Sequence, residues 1–474
     1  MDTPKDAPNM ASTSRPASWS DLLTRDYAAS LFMVCMGVWL HAADSLLVAT
    51  MIPAIVAEIG GARLIFWTVA LYDVGSIVAG VTSGLLAYRY GIRLPMVIAA
   101  GIFAGGCLIS AVAPNMNILL IGRLFQGLGG GCLTAISFVA IGTLFPKHLM
   151  ARAMGAISTL WGVSAFLGPL IGGLFAEHLS WRGGFLFFAV QAIILTGWLT
   201  TQPNDRANAP VTVALSRFPM RRLILLSTGI LAIAFGGSDI SFPRTGTFVV
   251  VGLTCLFLFL RLDTRSSENR LLPANPLGFG NSVSSGLTMI LCFAAATIAF
   301  SVYGTLLVTK LHGLPILAAG YIMALEAIAW STAAAILSGL HERKDPKMIF
   351  GGICVVAISI AGFAYSVPYG PVWMIVVSAG LQGVGFGMAW TFILRRMAMV
   401  VKTDDRQRVA AAVPTVQRIG FALGAVYIGM VANASGIDSG LQSGNLEAAA
   451  QTIFLASLPL AAIGLFAAWR FVRA

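Results

Sequence analysis

The sequence predicts an all-α polytopic membrane protein, and three observations predict it. Of the 474 residues, 57% are hydrophobic and only 10% are charged, whereas soluble domains carry about 25% charged residues. The apolar residues gather into stretches of about 20, the length a helix needs to cross the hydrocarbon layer. The cations, finally, fall almost wholly on one side of those stretches.

Fourteen stretches qualify: 28–56, 64–87, 94–113, 117–143, 153–177, 183–201, 219–237, 246–262, 283–308, 315–340, 348–367, 371–394, 409–433 and 450–470. Turn residues and charges separate them, as at Arg89-Tyr90-Gly91 and Arg343-Lys344-Asp345-Pro346. Residues 1–27 are polar and lack the apolar run of a signal peptide, so a cytosolic tail is expected. With that end in the cytosol, the outer loops hold only Arg63, Arg182, Arg244 and Lys310. Arg123 and Arg418 fall within spans, and every other Lys or Arg lies on the cytosolic side. One span too many or too few would reverse every later loop and destroy this asymmetry. The net charge of +11 therefore reads as topology and requires no nucleic acid.

An internal repeat orders the spans. Gln126-Gly127-Leu128-Gly129-Gly130-Gly131 resembles Gln382-Gly383-Val384-Gly385-Phe386-Gly387, 256 residues on. The same offset pairs Arg152 with Arg408, Thr159 with Thr415, Leu167 with Leu423, Gly168 with Gly424 and Gly173 with Gly429. Spans four and five thus correspond to spans twelve and thirteen, as in parallel repeats of six helices about an axis along the membrane normal. Six helices do not fill 256 residues. The surplus is a hairpin of spans seven and eight, inserted between the halves, with its tip at Gly237-Ser238-Asp239-Ile240-Ser241. The expected organisation is a tail (1–27), a six-helix bundle (28–202), a linker (203–218), the hairpin (219–262), a second linker (263–282) and a second six-helix bundle (283–474).

Four stretches carry a family resemblance. Gly84-Leu85-Leu86-Ala87-Tyr88-Arg89-Tyr90-Gly91-Ile92-Arg93 resembles the loop motif of the major facilitator superfamily. Arg123-Leu124-Phe125-Gln126-Gly127-Leu128-Gly129 resembles its RxxQGxG motif. Gly162 through Gly168-Pro169-Leu170-Ile171-Gly172-Gly173 resembles the span-five motif associated with antiporters. Asp44 and Pro53 are spaced as in the span-one motif of fourteen-span drug:proton antiporters. Tyr88 stands where the loop motif has an acid that helps latch the outward-facing form, and Leu46 and Ala49 replace a Thr and an Asn. Trp67 and Tyr72 match the family, whereas Asp73 replaces an apolar residue. The resemblance implies a major facilitator fold of two six-helix bundles plus the hairpin. It further implies a proton-coupled antiporter that exports amphipathic or drug-like molecules by alternating access. It places the chain in the cell (inner) membrane as a multi-pass protein with both termini cytosolic.

Candidate site residues are the charges within spans. A charged side chain at mid-membrane costs about 2.5–3.5 kcal/mol even on a lenient scale, so Asp44, Asp73, Arg123, Glu326 and Arg418 are expected to line a central cavity. His41 precedes Asp44 by one helical turn, on the same face. Asp44, His41, Arg123 and Asp73 form the proton-coupling set, with Asp73 either inside the cavity or near the outer end of span two. Gln126 shares a face with Arg123. Glu326, with Trp330 one turn on, suits a cation or a proton. Arg418 and its neighbour Gln417 either neutralise Glu326 or hold an anionic substrate. Tyr72, Gln126, Gln417 and Trp330 complete the expected substrate cavity. Gly84, Arg89, Gly91, Arg93, Gly162, Gly168, Pro169, Gly172 and Gly173 are expected to serve conformational change. Glycines permit close helix approach, and Pro169 removes a backbone hydrogen bond and permits a bend.

Other chemistry finds no support. The six cysteines lie in apolar runs without CxxC or metal spacing, which suits packing. There is no GxxxxGK[ST] for nucleotide drive and no HExxH or GxSxG for an enzyme. No cofactor and no metal are expected. The expected partners are a small-molecule substrate, protons and the lipid bilayer, and the chain is expected to act as a monomer. Export of a single metabolite, uptake by symport, a membrane-embedded enzyme and a non-transporting sensor stand as alternatives.

Overall fold

In a lipid core each backbone polar group must find its partner within the chain, and a helix does this segment by segment. A computed structural model of the chain describes residues 19–24, 26–201, 219–266, 270–273, 275–401, 406–443 and 446–473. The linker 203–218, most of the tail and the side chain of Arg408 lie outside the described residues.

Among the described residues fourteen helices are long and apolar enough to cross a membrane. Spans one to six are Ala28–Ile59, Ile65–Tyr90, Arg93–Ala111, Met116–Leu144, Lys147–His178 and Trp181–Thr201. Spans seven and eight are Met220–Ser238 and Phe242–Arg265. Spans nine to thirteen are Ser282–His312, Ile316–Leu337, Asp345–Ser366, Val372–Val400 and Arg406–Ala434. Span fourteen, expected as one helix, is two: Glu447–Leu455 and Ser457–Arg473, divided at Ala456, whose carbonyl accepts from Tyr427 Oη at 3.0 Å. The chain is a multi-pass membrane protein of two six-helix bundles and an inserted hairpin.

Local chemistry ends the helices. Asn115 Oδ1 accepts from Ile118 N at 3.1 Å and Asn281 Oδ1 from Ser284 N at 2.8 Å, so each begins a span by pairing an otherwise orphaned N–H. Gly91 and Gly313, at φ +73° and +64°, end spans two and nine in a backbone conformation that side chains disfavour. The expected tail departs from a featureless segment at its end. Trp19–Leu22 is a short helix, Leu22 is fully buried, and a β-carbon at Gly155 of span five would meet the Trp19 ring at 3.6 Å. Apolar side chains there find a groove that the tail's average polarity conceals.

Span four lies between spans two and three. A β-carbon at Gly127 would meet the Tyr72 backbone, and one at Gly129 would meet Phe103 N at 2.5 Å. The repeat recurs at this level: Gly383 faces the Glu326 backbone and Gly387 that of Trp330, as Gly127 faces Tyr72 and Gly131 faces Ser76. Glu326 therefore occupies the place in span ten that Tyr72 holds in span two, with an offset two residues shorter than that of spans four and twelve.

The contacts between the bundles cluster away from the face at which span one begins and span fourteen ends, here the terminal face. Thr305 Oγ1 donates to the Ala49 carbonyl at 2.6 Å, a pair that stands 256 residues apart near the repeat axis. Gly173 abuts Leu317, Gly320 abuts Thr50 and Pro169, and Gly429 abuts the Phe66 ring. Leu317 N donates to Glu177 Oε2 at 3.1 Å. Towards the terminal face the contacts thin out. A β-carbon at Gly162 would still stand 4.0 Å from Ser331 Oγ, and one at Gly80 would have no neighbour within 4 Å. The halves are closed on one face and parted on the other.

Candidate functional site

Span one carries His41 and Asp44 on one face, span two carries Tyr72 and Asp73, and span four carries Arg123 and Gln126. Their packing brings all six together at the edge of the second bundle. Arg123 Nη1 donates to Asp44 Oδ2 at 2.6 Å and to Gln126 Oε1 at 2.6 Å, while its Nε donates to the Thr68 carbonyl at 3.2 Å. The guanidinium lies over the Tyr72 ring, 4.2 Å from its centre. Gln126 Nε2 points to Cys107 Sγ at 3.2 Å. Asp44 is fully buried, and its second oxygen, Oδ1, has no hydrogen-bond partner.

Arg418 of span thirteen crosses from the other half. Its Nη1 lies 3.3 Å from Asp73 Oδ1 and its Nη2 2.6 Å from His41 Nε2. A guanidinium only donates, so Nε2 must accept and His41 must be neutral, with its proton on Nδ1. That N–H faces Tyr72 Oη at 2.8 Å, and Tyr72 Oη in turn donates to the His41 carbonyl at 3.0 Å. Two carboxylates and two guanidiniums with a neutral imidazole sum to zero charge. Side-chain exposure falls inward, from 25% at Arg418 and 9% at Asp73 to 3% at Arg123 and 0% at Asp44. Trp161 of span five, 40% exposed, sets its ring edge-on to His41 at 6.2 Å and walls the open side.

Two readings that the sequence left open are decided by contact. Arg418 does not neutralise Glu326, because Asp73 and His41 occupy it. Asp73 is not an ordinary outer-end acid, because it is buried beneath that arginine. Span registration decided both, and a single sequence does not give the register between spans two and thirteen. Sequence reasoning also missed the Thr68 carbonyl, Cys107 and Trp161. A backbone acceptor leaves no side-chain signal, and the other two resemble packing residues.

Glu326 is half-buried in span ten, beside the Gln382 amide. Among the described residues no cation lies within ion-pair distance of it. Trp330, one turn on, stacks on Phe386 at 5.0 Å and meets Trp390 edge-on at 5.8 Å. Gln417 lines a small apolar gap with Phe386 and Trp390, the rings that pack on Trp330, and with Phe293.

The motif residues divide by contact. Gly168 and Gly172 bring span five against span one, at Leu46 and at the Leu47 carbonyl, whereas Gly173 and Pro169 face span ten of the other half. Gly84 lies in the last turns of span two. Arg89 stacks on Tyr90 at 5.4 Å, and Arg93 donates to the carbonyls of Leu199, at 2.6 Å, and Thr200, closing the end of span six. In the second half the corresponding loop does hold an acid: Asp345, fully buried, pairs with Arg395.

Residues 30–376 match the family model of the Major Facilitator Superfamily. The chain is 29% identical over 470 residues to a Mycobacterium tuberculosis protein named Probable multidrug-efflux transporter, covering 96% of this chain and 97% of that one. It is 23% identical over 446 residues to the Multidrug efflux pump SdrM of Staphylococcus aureus, with 91% and 94% covered. Among solved structures it resembles a peptide transporter in complex with sulfate, with a TM-score of 0.69, 16% identity, and 94% and 95% of the two chains covered. It also resembles a D-xylose-proton symporter, with a TM-score of 0.64, 15% identity, and 92% and 97% covered.

Proposed function

The chain belongs to the major facilitator superfamily, and from that premise we propose that it exports amphipathic, cationic drug-like molecules in exchange for protons. One observation carries this reading. The span-one, -two, -four and -thirteen charges neutralise one another, whereas Glu326 of span ten has no cation among the described residues and lies one turn from Trp330, which packs with Phe386 and Trp390. A carboxylate beside aromatic faces attracts an organic cation through charge and ring quadrupole together. Arg418 is engaged by Asp73 and His41, which leaves it a poor anchor for an anionic cargo. The multidrug names of the relatives support the cargo class.

Cations gather on the terminal face, which the positive-inside rule assigns to the cytosol. The parted face is then the inward one, and loaded cargo would reach the cavity from the cytosol. The proposed coupling runs through His41. A proton arriving at Nε2 turns an acceptor into a donor, and the contact with Arg418 is lost. A proton on Asp73 loosens the same arginine from the other side. Either event weakens a charged tie between the two halves. Asp44 and Arg123 form the inner pair, where the unpartnered Oδ1 can take a proton without displacing any donor.

Purified protein in liposomes with an internal pH dye tests the exchange. Ethidium added to loaded vesicles should drive proton movement opposite to its own. Ethidium movement without any pH change would remove the protons from the reading. Glu326→Gln should raise the half-saturating ethidium concentration about tenfold, the value of one charge-assisted contact, and leave a neutral probe unchanged. An equal loss for both probes would argue that Glu326 serves packing.

A further inference from the structure

We propose that the inserted hairpin is a clasp on the outer face: it rides with span thirteen and straps span two, so that its release accompanies outward opening. This rests on the alternating-access reading and on the orientation above. Spans seven and eight are extra to the six-plus-six repeat, and their tip is where three units meet. Asn433, at the end of span thirteen, donates through Nδ2 to the Gly237 carbonyl at 2.7 Å and lies 3.4 Å from that of Ser238. The same nitrogen donates to the Arg63 carbonyl of the first half at 3.1 Å. Gly237 abuts the Met430 side chain, so the tip is seated on span thirteen by packing as well.

The strap is one side-chain bond. Trp67 Nε1 of span two donates to Ser238 Oγ at 2.8 Å, and Ser238 Oγ donates to the Ala234 carbonyl at 3.0 Å. A second tie runs alongside, from Arg63 Nε to Asp438 Oδ2 at 3.1 Å, but both partners are solvent-facing, and such pairs contribute little. The tip keeps its own shape. Thr245 Oγ1 donates to the Gly236 carbonyl at 2.9 Å, Arg244 pairs with Asp239 at 3.1 Å, and its guanidinium covers the Phe235 ring at 4.5 Å. A braced tip moves as a unit with span thirteen. Outward opening separates Phe66 from Gly429 and must break the Trp67–Ser238 bond, whereas the contacts of Asn433 and Met430 with Gly237 can persist.

The test reads the outer gate directly and needs no transported cargo. Thr50 is fully buried against Gly320 at the closed face, so Thr50→Cys in intact cells reports opening to a membrane-impermeant maleimide, with the parent protein as baseline. Adding Trp67→Phe, which keeps the ring, or Ser238→Ala should speed labelling about two- to tenfold, as the loss of one hydrogen bond between states implies. Size-exclusion profiles confirm that both variants are folded. Labelling at the Thr50→Cys rate in both variants overturns the clasp, whatever ethidium does. Faster labelling in both supports it, and ethidium efflux measured in the same cells then judges the cargo reading separately.

Discussion

Asp44→Asn is expected to reduce active export by about a hundredfold, the kinetic equivalent of about 3 kcal/mol, which is what an uncompensated buried charge costs. The carboxylate is fully buried, and Arg123 reaches it at 2.6 Å. The amide removes both the charge that compensates Arg123 and a group able to carry a proton. Thermal stability should fall too, which by itself would confuse a structural role with a coupling one. The double variant Asp44→Asn, Arg123→Gln separates them, because removing both partners of a buried pair is often close to neutral. It should regain the melting temperature and still fail to export ethidium against a gradient. Export restored in the double variant would reduce the pair to a structural tie.

The second large effect is on folding. Gly127→Val should abolish a monodisperse, membrane-inserted product. The added carbons meet the Tyr72 backbone in the neighbouring helix, and backbone cannot swing away as a side chain can. Overpacking of this kind forces whole helices apart. Gly383→Val should fail likewise, since it meets the Glu326 backbone. Gly101→Ala is the control: a β-carbon there has open space, and replacing a mid-helix glycine stabilises by about 0.5–1 kcal/mol. Detergent-solubilised yield and the size-exclusion profile would measure all three. A folded Gly127→Val protein would argue against close packing of spans two and four.

Legibility differed from element to element for physical reasons. Fourteen spans could be read because lipid demands long apolar stretches and because charge asymmetry checks the count. The break at Ala456 had a signal that went unread: Pro459, three residues on, has no N–H to give the Leu455 carbonyl. The pairing of Asp44 with Arg123 was within reach, because two opposite charges at mid-depth have few other ways to be satisfied. The partner of Arg418 was not. Glu326 and Asp73 are equally acidic and equally intramembrane, and only the docking of span thirteen on span two distinguishes them. Asn433 and Ser238 carried no sign of the contacts they make, because polar residues at span ends are ordinary.

By itself, the sequence determined the class of fold, the two repeats, the hairpin between them and the set of charges that cannot face lipid. Hydrophobic length and the cost of buried charge act locally and need no knowledge of neighbours. Tertiary structure alone decided which charges meet, that His41 accepts from Arg418 and so is neutral, that Glu326 has no cation among the described residues, and that the hairpin tip joins both halves. Those facts depend on the rotation and depth of one helix against another, which side-chain packing across the whole molecule sets.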